Sequence, residues 1–488
     1  IQADGTLTTA SPVGSVAPAS ALGASLTLQA ASLEHGGRIV LPSGELVVDT
    51  RGALILREGS RIDVAGSDAS VGDAVVALPG GRVSLSTSQG DLAMLGGVIN
   101  VSGAGTAAGG RLLLAAPQGL VDVRGQLRGT SGGADGAELA IDSGERIDIA
   151  ALSRRMDEAD PASFAGAISL RQRSGDLELG ALTTLTAHDL ALSADAGAVT
   201  VRGTLDARGA DGGRIELGSR DGLTLAQGSV LNASATAADG EGGRIALAST
   251  AGTLRLQAGA HVELAGGTQG ESGRLLLQAR RLGVTDAVPS GTGVDIAPLQ
   301  ADINGAGRID VEAVKVYDGV TRVTDFAFPV LDGTLLASTI AADGRAFVGT
   351  LGGKADLIAA RLADGDSALE GLLKIHAGAE IRSDGDLSVE FPGGAWSLAS
   401  ESTEITQRGG NASHVGDNSV TLRAAGDLTV LSSIDAGSHF GVDSAAGGSL
   451  RFVAGGGLRI GKENAGRPAD LKIVTSTGDI VMQAGGDV

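Results

Sequence analysis

One six-residue phrase, written six times, constrains this chain more than any other feature. GGRIVL (36–41), GGRVSL (80–85), GGRLLL (109–114), GGRIEL (212–217), GGRIAL (242–247) and SGRLLL (272–277) are versions of a single motif. The step from 80 to 109 is 29 residues, and those from 212 to 242 and from 242 to 272 are 30 each. The text between copies repeats as well, since RIELGSRDGLTLAQGSVLNAS is followed in the same register by RIALASTAGTLRLQAGAHVELAG. Self-similarity at this period marks a solenoid, in which a unit too small to bury its own apolar face stacks on its neighbours.

Each unit holds three short runs (RIEL, LTL, VLNAS) separated by glycine-containing turns (SRDG, AQGS, ATAADGEGG). The runs alternate apolar and polar residues with period two, which is strand grammar, and none carries a helical period. Stacking such units pairs each strand in parallel with its equivalent in the next coil. The fold expected is all-β, a right-handed parallel β-helix of stacked three-strand coils, each of roughly 25–30 residues with strands ~4.8 Å apart. The glycine pairs are expected to supply left-handed or otherwise unusual backbone angles at the corners. With 42% hydrophobic residues but only one Trp, one Tyr and seven Phe, the core must be thin layers of Val, Ile, Leu and Ala. The 79 glycines come with only 11 prolines, which excludes collagen.

Two stretches interrupt the pattern. Residues 152–166 (LSRRMDEADPASFAG) are charged and contain Asp-Pro, so a loop or short helix thrown out from a corner is expected. Residues 315–373 hold four of the nine aromatics, Tyr317, Phe326, Phe328 and Phe347. Their Ala/Leu-rich parts at about 333–349 and 354–363 favour helix. The division predicted is β-helix over 1–314, a mainly helical excrescence over 315–373 anchored by those four rings, and renewed β-helix over 374–488.

GAEIRSDGDLSVE (378–390), followed by VTLRAAGDLTVLSSIDAG (420–437) and preceded by an Ala-rich helical insertion, resembles the C-terminal part of filamentous-haemagglutinin-like exoproteins of Gram-negative bacteria. LEHGGRIVLPSGELVV (33–48) and the GGR units resemble the same family, so the similarity spans nearly the whole chain. The resemblance implies two-partner secretion through an outer-membrane transporter. It also implies an extracellular or cell-surface location and a role as a surface fibre or adhesin that meets a host or bacterial receptor. The family's N-terminal secretion domain, with its Asn-Pro-Asn type motifs, is not in this chain. The opening IQADG and the closing GGDV read as the ends of a processed or excised piece of something longer.

Charge and motifs narrow the other function classes. A net charge of −20 without a local Lys/Arg cluster repels phosphate backbones and anionic lipid, so neither nucleic acid nor membrane is an expected partner. No run of 18 apolar residues predicts membrane insertion. The absence of Cys removes disulfides, thiolate metal sites and a thiol nucleophile. The six His residues (35, 188, 261, 376, 414, 439) are scattered without metal-ligand spacing, so no metal and no cofactor are expected. GTSGG at 129–133 lies in a glycine-rich turn without the helix a nucleophile elbow requires. Gly353-Lys354 is followed by Ala355 and Gly461-Lys462 by Glu463, so neither is a phosphate loop. Asp-Gly pairs at Asp135, Asp211, Asp221, Asp239 and Asp384 are turn chemistry, and none completes a calcium-binding repeat, loose surface Ca²⁺ being the alternative. The Asn-x-Ser sequons at Asn100, Asn232 and Asn411 are read as strand-end polar residues, glycan acceptors being the alternative.

One charged pattern follows the repeat. Asp211, Glu241 and Glu271 each stand three residues before Arg214, Arg244 and Arg274. A 30-residue coil stacks these as an acid ladder beside an arginine ladder, each guanidinium bridging carboxylates of its own and adjacent coils. The function expected is a non-enzymatic structural or adhesive exoprotein, a β-helical shaft segment. Two alternatives stay open: a β-helix polysaccharide lyase or hydrolase, because fold does not decide function, and a spacer presenting a distal toxin or binding tip. Terminal coils leave strand edges that a cap or another molecule must satisfy, so end-to-end self-association is one of two outcomes.

Overall fold

The computed structural model describes residues 1–10, 22–72, 74–132, 136–158, 163–282, 293–325, 332–348, 353–391, 395–397, 419–436, 449–461, 463–464, 467–468, 471–475 and 480–484. The chain forms two compact units, residues 1–275 with 300–307, and residues 276–299 with 308–488. The expected boundaries fall elsewhere: residue 314 lies within the strand Ala306–Tyr317, and residue 373 opens the strand Leu373–Ser383. Both units are parallel β-helical stacks.

In the first unit a coil is one six-residue strand and two three-residue strands. Arg214–Ser219, Leu223–Leu225 and Val230–Asn232 are followed by Arg244–Ser249, Leu254–Leu256 and His261–Glu263. Ile215 pairs with Ile245, Leu217 with Leu247, Leu223 with Leu254 and Leu231 with Val262, all parallel. Alternation turns these residues inward, where none is more than 2% exposed, and each such burial contributes roughly 1.5–3 kcal/mol. The 30-residue spacing is local. Paired strands lie 22 residues apart where Ala167 meets Asp189 and 37 apart where Glu45 meets Arg82. The three strands of a coil keep nearly constant spans (82–100, 111–128, 189–206, 214–232, 244–263), whereas the return connection shrinks to 187–188 and stretches to 64–81. The longest return carries the antiparallel hairpin Asp68–Val71 with Ala74–Ala77.

The glycine pairs have a different role from the one expected. Gly80, Gly81, Gly110, Gly212, Gly213, Gly242 and Gly243 are not among the positive-φ residues, which lie at other turns such as Gly59, Gly97 and Gly228. They are needed because coils touch there. A Cβ at Gly81 would lie 2.0 Å from the Gly44 carbonyl oxygen, at Gly110 2.0 Å from that of Gly81, and at Gly243 2.2 Å from that of Gly213. The first corner uses buried hydroxyls. Ser249 Oγ donates to the Gly252 carbonyl (2.6 Å) and Thr50 Oγ1 to that of Gly52 (3.0 Å), filling acceptors that the tight turn leaves inside.

One coil replaces its second and third strands by helix α1 (Ile149–Asp157), capped by Asp148, whose carboxylate accepts from Ala151 N at 2.9 Å. This corrects the expectation of an excursion outward over 152–166. Ile149, Leu152 and Met156 are buried, and Phe164 is fully buried with φ of 60°. The ring fills the space beside Gly129, where a Cβ would meet it at 2.8 Å. The lateral sheets end on either side of α1, and polar side chains take up their loose backbone groups. Ser153 Oγ donates to the Thr184 carbonyl (3.1 Å), and Gln172 Oε1 accepts from Ile147 N (2.9 Å).

In the second unit, helices α2 (Ala337–Val348) and α3 (Gly353–Ala363) fall on the two helical parts read from sequence, and a short third helix, α4 (Ser367–Leu372), falls on neither. They are not an excrescence. Ala337 and Ile340 of α2 share a core with Val323, Ala379, Ile381 and Leu387, and Ile358 and Leu362 of α3 are buried. Strands Arg322–Thr324 and Thr334–Leu336 pair inside the same stretch, so 315–373 is mixed strand and helix. The single tryptophan, Trp396, stacks on Phe391 with ring centroids 5.3 Å apart in that core. Phe326 and Phe328, two of the four expected anchors, lie outside the described residues.

Gly243→Ala drives a methyl group into the Gly213 carbonyl and is expected to destabilise the first unit by about 1–3 kcal/mol. Gly218→Ala, whose Cβ would first meet Ser193 Cβ at 3.8 Å, is expected to be neutral or slightly stabilising. Hydrogen exchange across residues 214–263 in the two variants measures the difference.

His35 gives a second expectation. It is 1% exposed, with Nδ1 at 2.6 Å from Thr9 Oγ1, and burial pulls its pKa below the ordinary 6.5 against a smaller opposing effect of the Arg61 carbonyl. The unfolded chain therefore takes up the proton first, so His35 costs stability as pH falls below about 6.5 and costs none well above it. Exchange in the strands Gln2–Ala10 and Ser25–Gly36 is expected to accelerate between pH 7 and 5, and His35→Gln to remove that dependence.

Candidate functional site

The outer walls come first, because period-two alternation sends every second side chain there. Arg214 and Arg244 are register partners, and Arg274 N donates to the Gly243 carbonyl at 3.0 Å. The acids stack through the backbone: Glu241 N donates to Asp211 Oδ1 (3.1 Å), Gly212 N to the Glu241 carbonyl (2.7 Å) and Gly242 N to the Glu271 carbonyl (2.8 Å). Arg214 approaches Glu216 of its own strand at 3.8 Å. The structure thus brings Asp211, Glu241 and Glu271 together by amide contacts, and Arg214 turns to an acid of its own strand.

A ladder that the sequence reading did not single out runs along the end of the third strand. Asp63, Asn100, Asp206 and Asn232 each accept from the backbone N–H two residues on, at 3.0–3.3 Å. Asn100 Nδ2 also donates to Asp63 Oδ1 (3.2 Å), and Asn304 Nδ2 to Glu263 Oε1 (2.9 Å). Two of the three sequon asparagines, Asn100 and Asn232, are thus turn-forming side chains of this ladder, and Asn411 lies outside the described residues. The repeated D/N-x-A/S/R at strand ends was the available signal.

In the second unit the outer face of the strands Ala306–Tyr317, Leu373–Ser383 and Ser419–Ala424 buries charge. Asp310 Oδ1 accepts from His376 Nε2 (2.8 Å) and from Arg308 (2.6 Å). Glu312 accepts from the Gln278 amide and the Ser419 hydroxyl, and Glu380 from Arg382 (3.0 Å) and Arg423 (2.9 Å). Burial pushes the Asp310 and Glu380 carboxyls up, but their hydrogen-bonded cations outweigh it, and both titrate below the ordinary range. His376 has a 5% exposed side chain whose Nδ1 has no hydrogen-bond partner. These residues sit at outward positions of an alternating strand, so the pattern alone gave no reason to expect them buried.

The helical layer is held by a second cluster. Arg281 continues the inward positions of Leu275, Leu277 and Ala279, and its guanidinium donates to the carbonyls of Ala313 (3.3 Å), Gly378 (3.3 Å) and Asp343 (3.1 Å). It lies 4.5 Å from the centroid of Phe347. Desolvation lowers its pKa. Asp343 of α2 accepts from Lys315 and from Tyr317 OH (2.7 Å), and burial with that acceptor raises the Tyr317 hydroxyl. Tyr317 therefore bonds to Asp343 of α2 and Phe347 of α2 packs on Arg281, two charged residues that the aromatic reading overlooked.

The acids of these clusters are engaged, while His376 Nδ1 stays without a partner. Asp310, Asp343 and Glu380 each face at least two donors that hold the carboxyl below its ordinary range, which leaves them ill suited to move a proton near neutral pH. Among the described residues no three His, Asp or Glu side chains converge as metal ligands, and no helix is long and apolar enough to cross a membrane. Comparison with protein-family models, curated proteins and solved structures finds no match.

The acid limb of stability follows from the two lowered carboxyls. Their contribution is complete above the ordinary values of 3.8 and 4.5 and is lost as pH falls through the depressed ones. Urea unfolding of the second unit, followed by Trp396 fluorescence, is expected to show a midpoint that drops steeply below about pH 4, and Glu380→Gln to flatten part of that drop.

Proposed function

We propose that this chain is a non-enzymatic structural or adhesive segment of a bacterial surface exoprotein, a β-helical shaft that presents side chains in fixed register. The observation that carries the reading is how the acids of the second unit are engaged: the buried Glu312 and Glu380 and the half-buried Asp310 and Asp343 each accept from at least two side-chain donors. Such groups hold a scaffold together and do not turn over a substrate. The resemblance of the GGR units and of AEIRSDGDLSVE to filamentous-haemagglutinin-like exoproteins adds export through an outer-membrane transporter and a place on the surface of a Gram-negative cell.

The reading is tested by incubating the whole chain with a panel of polysaccharides, acidic and neutral, and following reducing ends and unsaturated products. No product is expected above the no-protein control at any pH from 5 to 9. Turnover by the pure protein that is lost on substituting one of its carboxylates would make it an enzyme instead.

A further inference from the structure

The first unit carries an open depression of about 650 Å³ across the strands Gln2–Ala10, Ser25–Gly36, Glu45–Thr50, Arg82–Thr87 and Arg111–Ala116. Its wall is a single register row. Gln2 pairs with Gln29, Gln29 with Asp49, Asp49 with Ser86 and Ser86 with Ala115. Each of four successive coils therefore places one polar group (amide, amide, carboxylate, hydroxyl) at intervals of about 4.8 Å, the last two bonded to each other through the Ser86 hydroxyl and Asp49 Oδ1. Ala3, Ala30 and Pro117 give the depression small apolar patches between those groups.

The side chains of Gln2, Asp4, Gln29 and Arg51 have no hydrogen-bond or ion-pair partner among the described residues, although all four line the depression. Beyond it the row holds Asp142, bound by Arg173, and Arg171, bound by Asp195, each at 2.7 Å, then Ser193, Gly218 and Ala248. Gln2 and Gln29 are thus the unpaired amides of the row, and Asp4 and Arg51 stand unpaired beside them in the depression.

We propose that this groove binds an extended, uncharged polysaccharide lying along the stacking direction. The inference rests on the adhesive reading above and names its ligand class. A β-linked pyranose chain in extended form advances by close to the same length per sugar as the stack advances per coil, so successive sugars stay in step with successive coils. Amide, carboxylate and guanidinium side chains match vicinal hydroxyls two atoms at a time, and the small apolar residues admit the sugar's C–H face. Asp4 and Asp49 outnumber Arg51 in the groove of a chain with net charge −20, which disfavours sulfated or uronic chains.

The whole chain is titrated by calorimetry with hexasaccharides of β-1,4-linked glucose, N-acetylglucosamine and xylose, and with a heparin hexasaccharide. Saturable binding of at least one neutral probe is expected, weakened tenfold or more by Gln29→Ala and by Asp49→Ala. Ser193→Ala, in the same row outside the groove, should leave it unchanged. Binding only to heparin, binding to no neutral probe, or binding indifferent to both groove variants would overturn the assignment. Mass spectrometry of the recovered probes separates this from the parent reading. Intact probes that fail to bind remove the groove alone, whereas shortened or unsaturated probes remove the non-enzymatic reading.

Discussion

Everything in these units depends on how closely one backbone approaches the next. At Gly81, Gly110 and Gly243 a carbonyl oxygen of the preceding coil occupies the place where a Cβ would stand. That contact sets the level of each coil, and once levels are set the strand ladders have one register available. A slip by one residue would turn every apolar column outward. The corner hydroxyls and the Asp/Asn ladder then complete backbone groups that the register has already placed.

Electrostatics works within that frame. Outward charges in the first unit pair along or between coils at the surface, as Asp142 does with Arg173, and exposed pairs of this kind contribute about 0.2–1 kcal/mol each. In the second unit Glu312 and Glu380 stand at outward positions yet are buried, and there the pairing is obligatory: an unpartnered Glu380 would cost several kcal/mol. The clusters confer specificity on how the helical layer and the strands meet.

The repeat made the strand architecture legible because alternation and glycine spacing are read directly from residue types, and RIELGS and RIALAS pair in the register their alignment predicts. The helices near 337–363 were legible for the same reason, through Ala and Leu content. Three things were not. The glycine pairs announced a constraint without saying that its cause was contact between coils and not backbone angle. LSRRMDEADPASFAG read as polar punctuation, because the inward residues Leu152, Met156 and Phe164 are too few to outweigh its charge by eye. The buried network of Asp310, Glu312, His376 and Glu380 joins strands far apart in sequence, and a period-two pattern carries no information about what covers an outward position.

The return connection has a consequence for how such a chain changes over time. Within a coil of the first unit the three strands tolerate almost no change in length, yet the segment that leads to the next coil runs from two residues at 187–188 to a folded hairpin within 64–81. Insertions and deletions are therefore absorbed at one corner without disturbing the ladders on either side. That corner is where lineages can diversify what the surface displays while the scaffold stays constant, and where a foreign peptide could be grafted with its ends already held at a fixed height.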